Sequence, residues 1–270
     1  MIEHLGLLPV GVLVGALGTL IGAGGGFLLM PILLFLYPED PPELLTGISL
    51  AVVFANSASG SYAYAKKGRI DYPSAFAFAA ASLPGAIFGA WLVGWIPATS
   101  FRFGFGLSLL LVGAFLIWRA GRPALARSTR GADVHRQLTD AEGQTWSWSY
   151  RRSLGLGVAA VVGVLSSLLG IGGGIIHVPA MIAWLGYPVH LATATSHLVL
   201  GITAAFGLLT RWALGGAEAG FSRAVPLMIG AVIGAQLGAK LSDRIGGPTI
   251  VRALALALGL VGLRLLWTGA

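Results

Sequence analysis

Two glycine-rich stretches decide how this sequence folds: GAGGG at residues 22–26 and GIGGG at residues 170–174. Each lies inside an apolar segment that is too long for one ordinary membrane crossing. A glycine in the interior of a helix costs about 1 kcal/mol relative to alanine, so an unbroken helix through three glycines is unfavourable. The sequence therefore predicts a pair of short helices around each stretch, over residues 5–21 and 26–36, and over 153–169 and 174–185.

The two stretches belong to an internal repeat. Pro31 and Pro179 follow the glycines at the same distance, and further matches follow in the same order in both halves. These matches are Tyr37-Pro38 with Tyr187-Pro188, Thr46 to Ser49 with Thr193 to Ser196, Gly89-Ala90 with Gly238-Ala239, and Leu111 to Gly113 with Leu260 to Gly262. We predict two pseudo-symmetric repeats, residues 1–118 and 153–270. A polar, arginine-rich cytoplasmic loop joins them over residues 119–152, and we expect at most a short helix in it.

The composition excludes an ordinary soluble domain. Hydrophobic residues make up 56% of the 270, and charged residues only 10%, compared with about 25% in soluble proteins. Besides the two glycine-broken segments, further apolar runs have the length of membrane-spanning helices, over residues 44–65, 72–95, 101–118, 191–210, 224–241 and 250–267. The sequence predicts an all-α polytopic membrane protein with eight to ten membrane elements. Each repeat then has a glycine-broken first segment and three further transmembrane helices.

The charges give an orientation. All ten acidic residues lie at the ends of spans or between them, and the linker holds seven of the seventeen basic residues. Lys66, Lys67 and Arg69 form a second basic turn, whereas residues 38–43 are acidic. The positive-inside rule places both basic segments in the cytoplasm. We predict a multi-pass protein of a bacterial cytoplasmic membrane, and the net charge of +7 then indicates loop orientation and no nucleic-acid partner.

Two topologies are compatible with these charges. If each glycine segment is a hairpin, each half has five elements, the halves are inverted and both termini lie outside. If each makes one bent crossing, the halves are parallel and both termini lie inside. We favour the inverted arrangement, because secondary transporters commonly use inverted repeats. The N-terminal residues lack a basic region and are interpreted as part of the first membrane segment.

The helix that begins after each glycine stretch exposes unpaired N–H groups and carries roughly half a positive charge at that end. Such an end binds an anion without a basic side chain. We predict a substrate site at Gly24, Gly25 and Gly26 and at Gly172, Gly173 and Gly174. Tight packing between helices is the alternative explanation for these glycines.

The motif G-x-G-G-G with a proline five residues after its last glycine, present in both halves, resembles the TauE/SafE family of sulfite exporters, a TSUP-type group of membrane transporters. The resemblance covers nearly the whole chain outside the linker. It implies a secondary transporter that exports sulfite or an organosulfonate, bound near the membrane midplane. An anion channel and, less favoured, an intramembrane enzyme remain as alternatives. No cofactor, metal or catalytic residue is predicted.

Neutral polar side chains complete the predicted site. Asn56 and Ser57 lie on the second span, and Thr195, Ser196 and His197 lie in the corresponding region of the second half. Hydroxyl and amide groups donate hydrogen bonds to an anion without the desolvation cost of a trapped cation. His177 and His197 are expected as packed neutral histidines, and the matched Arg102 and Arg252 as residues that reach the headgroups. The partners we expect are a small anion and the lipid bilayer, and a homo-oligomer is compatible with the sequence.

Overall fold

A computed structural model describes residues 6–120, with the side chains of 6–114, and residues 131–215, 220–242, 256, 259–260 and 262–264. The helices are α1 (Leu7–Ile21), α2 (Gly26–Leu36), α3 (Pro42–Lys66), α4 (Tyr72–Leu92), α5 (Ala98–Ala120), α6 (Arg152–Leu169), α7 (Gly174–Trp184), α8 (Val189–Ala213) and α9 (Phe221–Leu241). Two strands, β1 (Val134–Thr139) and β2 (Thr145–Tyr150), lie between α5 and α6. Most of the predicted span 250–267, with Arg252, lies outside the described residues.

The predicted fold class is confirmed. Within the described residues, five helices are long and apolar enough to cross a membrane: α3, α4 with its short continuation to Trp95, α6, α8 and α9. Helices α1, α2 and α7 and the apolar part of α5 are shorter and equally apolar. The chain is therefore an all-α polytopic membrane protein.

Both glycine stretches interrupt the helix, as predicted. Helix α1 ends at Ile21 and α2 begins at Gly26, and α6 ends at Leu169 and α7 begins at Gly174. The same three glycines of each turn have positive φ angles, between +66° and +82°: Gly22, Gly24 and Gly25, and Gly170, Gly172 and Gly173. Only glycine adopts this left-handed backbone at little cost, so the residue type fixes where each helix breaks.

The chain reverses direction at each break. A Cβ atom built on Gly25 would lie 2.8 Å from the carbonyl oxygen of Val14, and one built on Gly173 would lie 2.6 Å from Val162 Cγ1. In a continuous helix, residues eleven apart are separated by roughly 16 Å. Helices α1 and α2, with 15 and 11 residues, are shorter than the roughly 20 residues that cross a bilayer. The turns therefore lie inside the membrane.

Corresponding helices of the two halves run in opposite directions. On α3 and α8, Gly60 packs on His197, whereas Leu50, ten residues earlier on α3, packs on Gly207, ten residues later on α8. Contacts that advance along α3 while they retreat along α8 make the two helices antiparallel. Since α3 and α8 occupy equivalent positions in the repeat, this is the geometry of inverted halves.

The halves also exchange helices. Helix α1 packs mainly against α9, and α6 packs mainly against α4. Glycines allow this contact: a Cβ atom on Gly234 would lie 2.1 Å from Val12 O, and one on Gly163 would lie 2.2 Å from Ser82 O. Backbones approach this closely only where one partner lacks a side chain. Each repeat, defined along the sequence, is therefore completed by its partner in space.

The linker contains a β-hairpin, so the expectation of at most a short helix there was wrong. Strands β1 and β2 pair antiparallel with Val134 opposite Tyr150. Alternate side chains of β2 point inward, and Trp148 and Tyr150 are buried in a cluster with Tyr64, Phe78 and Tyr187. This apolar face holds the hairpin against the ends of the helices that adjoin the basic turn at Lys66 to Arg69.

A buried carboxylate reinforces this docking. Asp71, which caps α4, accepts hydrogen bonds from Ser74 Oγ at 2.5 Å and Tyr187 Oη at 2.8 Å, and Arg136 Nε of β1 lies 3.8 Å from it. Burial and the neighbouring Asp71 charge raise the pKa of Tyr187, so its phenol stays protonated and donates. Arg136 therefore links the hairpin electrostatically to the start of α4.

Candidate functional site

A polar cluster lies beside the first glycine turn, inside an otherwise apolar core. Thr19 Oγ1 donates to Asn56 Oδ1 at 3.0 Å, and His197 Nε2 lies 3.2 Å from the same hydroxyl. Tyr64 closes one side, because its Oη donates to Thr19 O at 2.9 Å and its ring meets the His197 ring edge-on. Asn56 and His197 are both fully buried. The contacts bring residues of α1, α3 and α8 to one point.

Several polar atoms around this point have no partner in the part of the chain that the structure describes. They are Asn56 Nδ2 and Ser57 Oγ, and Ser196 Oγ, next to His197 in the chain, is likewise completely buried without a partner. Buried polar groups are nearly always paired, and an unpaired one requires an explanation. Ser57 adjoins the glycine turn directly, since a Cβ atom built on Gly24 would lie 3.3 Å from its Oγ.

The backbone adds further donors. Leu28 and Leu29 donate to Gly25 O, but the N–H groups of Gly25, Gly26 and Phe27 find no acceptor among the described residues. The second turn repeats the pattern. Ile176 and His177 donate to Gly173 O, and the N–H groups of Gly173, Gly174 and Ile175 have no acceptor among the described residues. These are the orphan donors that a helix N-terminus offers to an anion.

The two turns touch each other. A Cβ atom on Gly26 would lie 2.7 Å from Gly170 O, and one on Gly174 would lie 2.5 Å from Gly22 O. Val53 of α3 packs against Gly24, Gly26 and Gly172, and all six predicted glycines are buried. The glycines therefore stand at the contact between the halves, in a conformation that is closed to water.

The second half has a different set of polar groups, with Ser166 Oγ and Ser167 Oγ buried and unpaired within the described residues. Ser167 and Thr203 occupy the positions that match Thr19 and Asn56, but Thr203 is bonded to Ser82 Oγ at 2.7 Å. Gly207, the counterpart of Gly60, faces Leu50, whereas Gly60 faces His197. A leucine thus replaces a histidine at matched positions, and the pseudo-symmetry is broken in chemistry.

The structure groups most of the predicted site residues but separates one from the cluster. Asn56, Ser57 and His197 adjoin the first turn, whereas Thr195 Oγ1 accepts the Asp71 N–H at 3.1 Å and so supports the start of α4. His177 is buried edge-on against Phe78. Arg102 donates to Pro38 O. The sequence analysis missed Thr19, which is the one hydroxyl side chain in α1 and could have been noticed for that reason.

A family model described as sulfite exporter TauE/SafE matches residues 7–265. The chain belongs to the TauE/SafE family. It is 32% identical over 269 residues to the "Probable membrane transporter protein YunE" of Bacillus subtilis, which covers 97% of each chain. A probable membrane transporter protein of Methanocaldococcus jannaschii is 32% identical over 77% of this chain and 73% of its own length. No solved structure matches the chain at a significant level.

Membership of the TauE/SafE family establishes the general activity. The relatives carry names of membrane transporters, and the described helices include several that can cross a bilayer. The protein is accordingly a multi-pass membrane transporter and not an enzyme.

Proposed function

We propose that this TauE/SafE protein is a secondary transporter that exports a small sulfur-containing anion, sulfite or an organosulfonate. The anion binds at the polar cluster (Thr19, Asn56, Ser57, Ser196 and His197) beside the first glycine turn. The observation that carries the proposal is the set of buried, unpaired donors of Asn56 and Ser57 next to the free N–H groups of α2. A tetrahedral or pyramidal oxyanion accepts several hydrogen bonds at once, which suits such a set.

Among the described residues, no cationic side chain is hydrogen-bonded to Thr19, Asn56 or Ser57, which favours a ligand that must leave again. An anion held by neutral donors and a helix N-terminus is stabilised without the strong ion pair that would slow its release. His197 acts through Thr19, because its Nε2 donates to the Thr19 hydroxyl, which in turn donates to Asn56 Oδ1. Because Gly60 has no side chain, the His197 ring fits beside Thr19.

Val53 and Leu200 give the site its closed state. Leu200 approaches Gly24 and Gly174, and Val53 approaches Gly26 and Gly172, so these two side chains cover both turns. Movement of α3 against α8 would carry them away from the turns, because they are matched residues on the two central helices. Inverted repeats commonly open to the two sides of the membrane in this way.

The membrane potential suffices to drive export. Each negative charge that leaves a cell with a negative interior gains about 2.3 kcal/mol per 100 mV. At about 1.4 kcal/mol per decade, this supports a gradient of roughly 50-fold per charge. A uniporter therefore needs no coupling ion.

The proposal is tested with the full chain in proteoliposomes, by flux of labelled sulfite, sulfoacetate and a carboxylate, with and without an imposed potential. Ser57→Ala removes an unpaired donor at nearly constant volume, and Asn56→Leu removes one with the same branching at Cγ; each should reduce sulfite flux at least tenfold, since a charged hydrogen bond contributes about 1.5–3 kcal/mol. Ser59→Ala is the matched control on the same helix, because the Ser59 hydroxyl donates to Val232 O, away from the cluster.

Three outcomes would contradict the proposal. Equal flux in Ser57→Ala, Asn56→Leu and the wild type would remove the polar cluster as the site. Preference for the carboxylate over both sulfur anions would change the substrate class. Flux that does not saturate with concentration would instead indicate an anion channel.

A further inference from the structure

A crevice of about 350 Å³ lies between the ends of α3, α8 and α9 on the side opposite the basic turns, here called the outer crevice. Its walls are almost entirely apolar. Among the residues that line it are Leu44, Ile48 and Ala51 of α3, Leu208 of α8, and Phe221 and Met228 of α9. Arg211, near the end of α8, is the charged residue in this lining. An apolar groove with one cation at its edge is complementary to an amphiphilic anion.

Arg211 has few hydrogen-bond partners in the described part of the chain. Its side chain is 5% exposed, and its Nη1 donates to Ala90 O at 3.2 Å, at the end of α4. Its Nε is buried without a partner in the described part of the chain. Glu43 contributes a favourable charge but forms no ion pair with Arg211 among the described residues. Burying a cation without a close anion is costly, so the guanidinium has capacity for an anionic ligand.

The crevice lies at the depth of the lipid headgroups. Trp212 follows Arg211 directly and is 65% exposed, and Trp95, next to the Arg211 contact at Gly94, is 73% exposed. Exposed tryptophans gather at the membrane–water interface. A phosphate at this depth meets the guanidinium while its acyl chains enter the apolar region below.

We propose that the outer crevice binds one anionic phospholipid, with the phosphate on Arg211 and an acyl chain against α3, α8 and α9. Arg binds phosphate through a planar fork of donors, which the unused N–H groups of Arg211 can supply. A zwitterionic choline lipid would bring a second cation to the same place, so the crevice should prefer phosphatidylglycerol over phosphatidylcholine. This inference is independent of which anion the protein transports.

The test is native mass spectrometry of the purified full chain, after equilibration with an equimolar mixture of the two lipids. Arg211→Gln should lower phosphatidylglycerol retention about tenfold, whereas Arg152→Gln, which removes the same charge from an exposed cytoplasmic position, should not lower it. Gly47→Leu should also reduce retention, because it adds a side chain to the crevice at a position with no atom within 4 Å.

Gly47→Leu keeps the test decisive if Arg211→Gln does not fold, since it leaves Arg211 in place. Unchanged phosphatidylglycerol retention in Gly47→Leu, or equal retention of the two lipids by the wild type, would overturn the proposal. Displacement of the bound lipid by millimolar sulfite would also overturn it, and would assign the crevice to the transported anion.

Discussion

Arg69 Nε lies 3.3 Å from Asp140 Oδ2, and both side chains are almost completely buried. Arg69 belongs to the connection between α3 and α4, and Asp140 begins the turn of the β-hairpin. Asp140 also accepts the N–H groups of Glu142 and Gln144 at 3.0 and 2.9 Å. One carboxylate therefore shapes the hairpin turn and ties the hairpin to the first half.

We expect Asp140→Ala to release the hairpin, because it leaves the Arg69 guanidinium without its buried partner and removes both turn hydrogen bonds. Protease cleavage within residues 134–150 should become much faster than in the wild type. Glu142→Gln is the control: its carboxylate also lies 3.3 Å from Arg69 but is 67% exposed, so little protection should be lost. Similar cleavage rates for Asp140→Ala and Glu142→Gln would show that the ion pair does not hold the hairpin.

Hairpin docking should also depend on acid. Burial alone would raise the pKa of Asp140, but the Gln144 N–H, the Arg69 guanidinium and the Glu142 N–H outweigh it and hold that pKa below its ordinary value of 3.8. A depressed pKa contributes stability that is fully present above the ordinary value and is lost as the pH falls through the lower, folded value. Hydrogen exchange of residues 134–150, corrected for intrinsic rates, should stay constant from pH 7 to pH 5 and rise below about pH 4. Asp140→Asn should abolish this rise, and its persistence in that variant would assign it to another group.

The contact between α1 and α9 predicts a steep sensitivity to small side chains. Gly234→Ala places a methyl group 2.1 Å from the Val12 carbonyl oxygen, and we expect a loss of about 1–3 kcal/mol in the free energy of unfolding, as for other overpacked sites. Gly157→Ala is the matched control, because this helical glycine has no atom within 4 Å of its Cβ position. It should be neutral or stabilising by up to about 1 kcal/mol. Denaturant unfolding in detergent, followed by tryptophan fluorescence, measures both, and equal stabilities would contradict the close packing.

His197→Leu tests whether the broken symmetry matters for transport. It makes the first cluster resemble the second, where Leu50 already packs on Gly207, so the variant should fold. We expect sulfite flux to fall at least tenfold, since Thr19 loses the Nε2–H donor that orients its hydroxyl toward Asn56 and the anion gains an apolar neighbour. His177→Leu is the comparison, because His177 is buried against Phe78 rather than beside the polar cluster. A normal flux in His197→Leu, with reduced flux in His177→Leu, would place the site beside the second glycine turn instead of the first.

The sequence predicts the glycine breaks almost to the residue because the cause is local. Three positive-φ glycines end one helix and begin another, and Ile21 and Gly26 bound the first turn as the glycine run predicts. The hairpin escaped prediction although its signal is present. Trp146, Trp148 and Tyr150 alternate with serines at the period of a strand, after a turn at Gly143, but the surrounding arginines and the polar composition are typical of a simple loop.

The site was predicted only in part for a different reason. Asn56, Ser57 and His197 are polar residues in apolar helices and stand out, whereas Thr19 and Tyr64 join the cluster through contacts between elements. Thr195 is a hydroxyl residue like the neighbouring Thr193 and Ser196, but its position on the helix turns it toward Asp71. Which face of a helix meets which partner is decided by packing, and glycine stripes such as Gly230, Gly234 and Gly238 do not name the helix that covers them.

The exchange of helices between the halves constrains how the chain is assembled during synthesis. Helix α1 leaves the ribosome early, but its principal neighbour, α9, is made nearly last, so the close backbone contact of Val12 with Gly234 cannot form until then. The surface of α4 likewise stays uncovered until α6 has been synthesised. Final compaction in the bilayer therefore requires α9, and a chain truncated before Phe221 would present an uncovered α1 surface to membrane quality control.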